Sequence, residues 1–408
     1  MALGKVVVIG QGYVGFPLAI AAAQANWKVV GIDLSQSVVG RISSGNSHIE
    51  DISNEELKKA LISGRYSATS NFDDVSDCDI CVICVPTPVD IDKKPDLSFL
   101  DSAIREVAKL LPSHSLLISE STSFPGTVNE LIIPILEELR SDRGEYINVV
   151  SAPERIDPRN GKYDLKSTPR ILGGKTPDAS KKAREFYSTF CDTVVEVSSP
   201  EVAEFAKLLE NTFRQVNIAL VNQLVPFARS MGVDIREVVA ASASKPYGFM
   251  PFYPGAGVGG HCIPVDPMYL LWRARKEKID LPFIDQADKV NSEMPRYVVS
   301  RLLNMLESND SGHIAILGVA YKPGLGDIRE TPAKDVADEI LSRGFVPVWS
   351  DPLVQDFHGF EKYSGHDVKA AIVVTAQPGL LIEDFTKLAI PVLDCTGAFK
   401  GIQGVEQL

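Results

Sequence analysis

The stretch GVGGHCIPVDP, from Gly257 to Pro267, sets one cysteine beside a glycine pair and a histidine, in backbone that is partly very free and partly locked by proline. A cysteine that merely fills a core has apolar neighbours. Cys262 sits in a loop instead, where a thiol becomes a nucleophile once nearby cations or a helix N-terminus lower its pKa. Gly259 and Gly260 would let a substrate come close, and Asp266 lies near enough in sequence to serve the same site. The plain alternative is a buried thiol in an ordinary turn.

A second constellation opens the chain. Gly10, Gly12 and Gly15 form G-x-G-x-x-G directly after an apolar strand and before a helix, the arrangement in which backbone amides at a helix N-terminus receive a pyrophosphate. Asp33 ends the next strand at the expected distance, where a carboxylate accepts from a ribose 2′-hydroxyl and repels a 2′-phosphate. NAD is therefore expected over NADP. Further on, Lys207 and Asn211 are four apart and share one helix face, the lysine embedded in apolar sequence. Thr122, in ESTSFPGT, and Glu154, in SAPERIDP, each follow a strand, where open α/β sheets bind ligands. Glu154 has an alternative as half of an ion pair with Arg155 or Arg159. In LGVAYKPGLGDIRETP, glycines, Lys322 and Arg329 follow a strand and suit a diphosphate or sugar nucleotide, or else are solvated loop cations.

The elements that position these residues are legible as periodicity. KVVVIG, KVVGID, DICVICVP and SLLISEST read as strands, with helices at Tyr13 to Asn26 and Asp101 to Leu111, which implies a doubly wound parallel sheet. HIAILGVAY, FVPVWSDP, AAIVVTA and PVLDCTG repeat the pattern near the C-terminus. Between them, Glu201 to Met231 has helical three-and-four spacing; it would run about 45 Å and leave apolar surface for a dimer seam. Pro226 is expected to kink or divide that helix. The fold class is thus α/β, with two Rossmann-like domains joined by a long central helix. The expected division is 1–198, 199–306 and 307–408, with linkers near 196–200 and 306–312.

Bulk properties narrow the function. A chain of 408 residues with a formal charge of −12 is a multidomain globular protein and lacks the basic stripes of nucleic-acid binders. No apolar run is long enough to span a bilayer, and the N-terminus lacks a signal-peptide pattern, so a cytoplasmic protein with no membrane partner is expected. Cys78, Cys81 and Cys84 are spaced three apart in a strand, which sends neighbours in that series to opposite faces. Neither a metal site nor disulfides are expected.

Together GQGYVGFP, CVPTP, ESTSFPGT, APERIDP, AKLLENTFRQVNIALVNQ and GGHCIPVDP resemble, in order along nearly the whole chain, the UDP-glucose/GDP-mannose dehydrogenase family. The resemblance implies NAD-dependent oxidation of a sugar C6 alcohol, through the aldehyde, to the acid. Cys262 would hold the aldehyde as a thiohemiacetal and then a thioester. Lys207 would steady the oxyanion, with Asn211 as its hydrogen-bonding neighbour. Asp266 would assist proton transfers, Glu154 would act as acid or base in hydrolysis, and Thr122 would position water. The same resemblance extends cofactor contacts to Tyr13, Val14 and Thr87. It extends substrate contacts to Glu154, Arg155, Lys207, Asn211, Phe252, Tyr253 and Gly259, beside Lys322 and Arg329.

GNSHIEDI, ERIDPRN and KPYGFMPFYPGAGVGGHCIP are most similar to members acting on UDP-N-acetylhexosamines, with UDP-N-acetylglucosamine favoured over UDP-N-acetylmannosamine. Such products feed cell-surface polysaccharides, and such members form homodimers. Members using UDP-glucose often place an arginine near the cysteine across the dimer, whereas SASKPYGFMPF has Lys245. Two other readings compete. A simple hydroxyacid dehydrogenase leaves Cys262 and the second α/β domain unexplained. A catalytically idle nucleotide-sugar sensor would bind ligand and make no NADH.

Overall fold

Short runs of valine and isoleucine with no polar alternation make strands buried on both faces, the signature of a parallel sheet covered by helices. The computed structural model describes residues 2–90, 92–140, 147–157, 162–306, 311–365 and 367–408. Its first sheet comprises β1 (Lys5–Ile9), β2 (Lys28–Ile32), β3 (Tyr66–Thr69), β4 (Ile80–Ile83), β5 (Leu116–Ser119), β6 (Asn148–Ser151), β7 (Arg170–Gly174) and β8 (Val194–Glu196), in the order 3-2-1-4-5-6-7-8. β1 to β6 are parallel, so the loops after β1, β4, β5 and β6 open side by side at one edge. Successive residues serve opposite faces. Val6, Val8, Val82 and Cys84 pack into one core layer, and Val7, Ile9, Cys81 and Ile83 into the other.

β7 departs from the wholly parallel sheet that the strand–helix alternation suggests. It pairs antiparallel with β6, Ser151 beside Gly173, so its first residue lies beyond the end of β6, next to the loops of the ligand-binding edge. Arg170 is that residue.

The second sheet is parallel throughout. It contains β9 (His313–Leu317), β10 (Val346–Ser350), β11 (Glu361–Lys362), β12 (Val368–Val373), β13 (Val392–Asp394) and β14 (Val405–Gln407), in the order 11-10-9-12-13-14.

The long helix, Pro200–Ser230, runs unbroken for 31 residues with Pro226 inside it, so the expected division at that proline does not occur. Buried Val225 and Ala228 flank the proline and pack into the core of the second sheet, which offsets its missing hydrogen bond. A second helix, Pro282–Leu303, likewise contains Pro295. The chain forms two compact units, 1–210 with 268–277 and 211–267 with 278–408, the division along the long helix falling between Glu210 and Asn211. Part of the expected 306–312 linker, 307–310, lies outside the described residues. Among the described residues no helix is long and apolar enough to cross a membrane.

Candidate active site

The glycines after β1 are required for two separate reasons. Gly10 has φ +87, and a Cβ there would lie 2.6 Å from the Cys84 carbonyl oxygen; a Cβ on Gly15 would lie 2.0 Å from the carbonyl of Gly10. Gly12 is different, because nothing lies within 4 Å of the place its Cβ would take. That open space is what a close-approaching pyrophosphate needs, with Tyr13 and Val14 leading into the helix Gly15–Gln24. Asp33, at the end of β2, accepts from the Gln11 amide at 2.9 Å and from the Ser35 amide at 2.8 Å, which fixes its carboxylate beside the glycine loop. The residues present therefore fit NAD.

Sequence spacing did not reveal how the glycine loop is pinned. Tyr66 donates to the Gln11 side-chain carbonyl at 2.7 Å, and the Gln11 side chain donates back to the Val8 carbonyl at 2.8 Å. His48 stacks on Phe16 at 5.0 Å and bonds the Gln11 carbonyl at 2.6 Å through Nε2, which must donate. Burial holds this imidazole below its ordinary pKa and favours the neutral ring.

The loops after β4 and β5 are tied together. Thr87 Oγ1 donates to the Thr122 carbonyl at 2.6 Å, and Ser121 to that of Val85 at 2.8 Å. Tyr269, fully buried, donates to the Thr87 carbonyl at 3.0 Å. Glu154, after β6, is buried, and both its oxygens accept from the Ile156 amide. Among the described residues its ionic partner is Arg170 at 3.5 Å and not Arg155. Arg155 instead forms a two-pronged pair with Glu210, at 3.1 and 2.6 Å, and Arg159 lies outside the described residues. The buried neighbours Glu120, Arg170 and Tyr187 were also missed, because they come from three separate elements.

Lys207 is only 8 % exposed, on the same helix face as Asn211. A lysine this enclosed carries a desolvated charge, unlike the solvated side chain that an isolated helix lysine usually presents.

In the second unit, Asn211 Nδ2 donates to Asp266 Oδ2 at 2.5 Å, and both are buried. Asp266 opens the helix Asp266–Lys276, and its amide donates to the Cys262 carbonyl at 2.8 Å. Cys262, half-buried, thus sits in the turn that leads into a helix N-terminus.

The glycines before Cys262 answer to the protein's own packing. A Cβ on Gly259 would meet Pro332, the Glu330 carbonyl and Tyr321 within 2.8 Å, and one on Gly260 would meet the Tyr321 ring. Close packing on the loop after β9 is thus a reason for both glycines beside the expected one, room for a substrate. Phe252 packs edge-on against Phe213 of the long helix, and Tyr253 lies under Arg236. Lys322 is half-buried in the β9 loop, and the exposed Arg329 pairs with Asp327 through both carboxylate oxygens.

Cys78, Cys81 and Cys84 are buried thiols, and the described residues hold no cluster of metal-ligating side chains.

Three sequence profiles of the UDP-glucose/GDP-mannose dehydrogenase family match: the NAD binding domain over residues 4–191, the central domain over 201–293 and the UDP binding domain over 315–387. The chain is 36% identical over 381 residues to a UDP-N-acetyl-D-mannosamine dehydrogenase of Pyrococcus horikoshii, covering 92% of this chain and 90% of that one. It is 34% identical over 365 residues to a UDP-N-acetyl-D-glucosamine 6-dehydrogenase of Pseudomonas aeruginosa, covering 88% and 85%. The solved structure of a UDP-D-ManNAc dehydrogenase from Pyrococcus horikoshii superposes with a TM-score of 0.88 at 32% identity, over 99% of this chain and 98% of that one.

Proposed function

Because the chain belongs to the UDP-glucose/GDP-mannose dehydrogenase family, NAD-dependent oxidoreductases of nucleotide sugars, we propose that it converts the C6 alcohol of a UDP-N-acetylhexosamine to the acid. Bound NAD⁺ supplies the hydride acceptor, once for each of two oxidations. The observation that carries the proposal is the bond between Asn211 and Asp266. It fastens Asp266, four residues after Cys262, to Asn211 of the long helix.

The roles follow from the chemistry of each side chain. As the C6 carbon gives up its hydride and the C6 hydroxyl its proton to the relay that includes Asp266, Lys207 steadies the developing oxyanion. The Cys262 sulfur then bonds the aldehyde carbon, giving a thiohemiacetal that still carries a hydrogen, and loss of a second hydride leaves a thioester. Asp266 moves protons around the thiol and the lysine, held in place by Asn211. In the last step Glu154 takes a proton from water; the water oxygen bonds the thioester carbon, and the C–S bond breaks to return the thiolate. Thr122 positions that water. Asp33 and the glycine loop orient NAD⁺, with Thr87, while Lys322, Arg329, Arg155, Phe252, Tyr253 and Gly259 hold the UDP-sugar. The three expected segments divide the work as cofactor domain, central region and UDP domain.

UDP-N-acetylglucosamine is the first choice of substrate, on the strength of the motifs around Cys262. UDP-N-acetylmannosamine is the second, since a relative of slightly higher identity acts on it. The product, an acidic UDP-sugar, suits surface polymers that carry uronic acids. A homodimer would cover the apolar stripe of the long helix.

The test is the NADH formed per mole of limiting sugar at completion, with excess NAD⁺, for UDP-N-acetylglucosamine, UDP-N-acetylmannosamine and UDP-glucose in parallel. Two per sugar is expected for one of the acetylated substrates. One would mean that free aldehyde is released and that Cys262 has no covalent role, and none with any of the three would point to a binding protein.

A further inference from the structure

Behind Glu154 lies a buried group that the steps above leave without a role. Glu120 follows β5, immediately before Ser121 and Thr122, and is 1 % exposed. Arg170, brought there by the antiparallel turn of β7, places Nη1 3.2 Å from Glu120 Oε2 and 3.5 Å from Glu154 Oε1. Tyr187, the last residue of the helix Pro177–Tyr187, donates its hydroxyl to the other Glu120 oxygen, and the guanidinium stacks 5.1 Å from its ring. The main chain joins the same partners, since the Glu154 amide donates to the Glu120 carbonyl at 3.2 Å. Two thiols are further titratable neighbours among the described residues. Cys84 follows β4 and Cys191 lies beyond the helix; burial raises both, so they remain neutral.

Among the described residues one guanidinium here faces two carboxylates, all nearly out of reach of water. Two buried anions against one cation leave a net charge whose desolvation is costly, and a single proton relieves it. Burial, helped by Glu154 and opposed by Arg170 and Tyr187, pushes Glu120 up to about 7.

We propose that Glu120 is a positioning residue for hydrolysis: it holds the proton that decides whether Arg170 serves Glu154 alone or is divided between two anions. The inference rests on the role given to Glu154 above. With Glu120 protonated, Arg170 belongs to Glu154. With Glu120 ionised, the proton leaving water enters a pair of carboxylates already short of positive charge, and hydrolysis is faster. Tyr187 sets the point of change, because its hydrogen bond favours the ionised form.

The experiment follows the decay of enzyme-bound thioester in acid-quenched single turnovers across the pH range, after the wild-type NADH yield has been counted. The wild-type rate should rise severalfold through an inflection near 7. Tyr187→Phe keeps the carboxylate and should move that inflection to higher pH. Glu120→Gln should remove it, leaving only titrations common to all three proteins. A purely structural role would lower the rate at every pH and leave the inflection where it was. That result in Tyr187→Phe, or an unmoved inflection in Glu120→Gln, would overturn the role while a yield of two NADH left the overall reaction standing. A yield other than two would remove the hydrolysis step, and the role of Glu120 with it. Should Glu120→Gln not fold, the direction of the Tyr187→Phe shift decides.

Discussion

In the proposed reaction Cys262 and Lys207 carry different parts, so their variants should fail differently. Cys262→Ser keeps the size and the turn but loses the thiolate; it should bind the UDP-sugar with near-normal affinity by calorimetry and form no acid. Undiminished acid production would reject the covalent route. Lys207→Met removes a fixed charge from an enclosed site, where one such donor is worth about 10²- to 10³-fold in kcat. A loss under tenfold, measured at saturating substrate, would mean that the lysine does not face the reacting oxygen. Both residues were legible in the sequence because each lies in a dense local motif. Glu120, Arg170 and Tyr187 were not, since they meet only where β7 reverses and no spacing encodes that reversal.

Among the elements, the two prolines inside long helices point to a shared device. Pro226 and Pro295 have no N–H, so each leaves the carbonyl four residues earlier, of Asn222 and Asn291, without its helical donor. The side chains of those two asparagines are bonded to each other at 2.9 Å. Asn222 also accepts from the Gly255 amide at 3.1 Å, at the start of the loop that runs to Cys262, and Asn291 donates to the Gln215 carbonyl at 3.2 Å. Asn222→Ala leaves several of these buried groups unpaired, at a cost of about 1–3 kcal/mol in denaturant unfolding. It should also lower kcat more than it raises KM, because the loop it frees carries the proposed nucleophile. Unchanged stability would remove the network from the account. Propensity alone expects Pro226 to kink or divide the helix; the helix is not divided, and the flanking Val225 and Ala228 are buried in the core of the second sheet. Two further strands of the first sheet were illegible for a simpler reason: β7, RILGG, has only two large apolar residues in a row, and β8 is three residues long and largely exposed, so they lack the apolar run that marks β1 or β9.

At the scale of the whole molecule, two properties can be measured without substrate. Val202, Phe205, Leu209, Phe213, Leu220, Leu224 and Phe227 are exposed in a stripe along the long helix, and a contiguous apolar face is what a protein–protein interface offers. Leu209→Glu with Leu220→Glu should therefore shift sedimentation from dimer to monomer, and a dimer that persisted would place the seam elsewhere. The second property is the pH dependence of stability. Most of the perturbed carboxylates, such as Asp77, Asp164 and Asp234, are lowered by cations or hydrogen-bond donors; their stabilisation is complete above the ordinary carboxylate range and is lost as pH falls below it. Glu120 and Glu204 act in the opposite sense. Burial pushes Glu204 up to about 8, although its oxygens accept from the Gly126 and Val128 amides at 2.7 and 3.2 Å. The native state thus holds protons that the unfolded chain has released, and stability falls as pH rises from about 4.5 through about 7 for Glu120 and about 8 for Glu204. Each group contributes a slope of up to about 1.4 kcal/mol per pH unit within its window. Urea unfolding should show that decline in the wild type, with Glu120→Gln flattening it up to about 7 and Glu204→Gln flattening it up to about 8. A wild-type profile that stays level across this window would mean that both carboxylates remain ionised in the folded protein, Glu120 held so by Arg170 and Glu204 by the two amides.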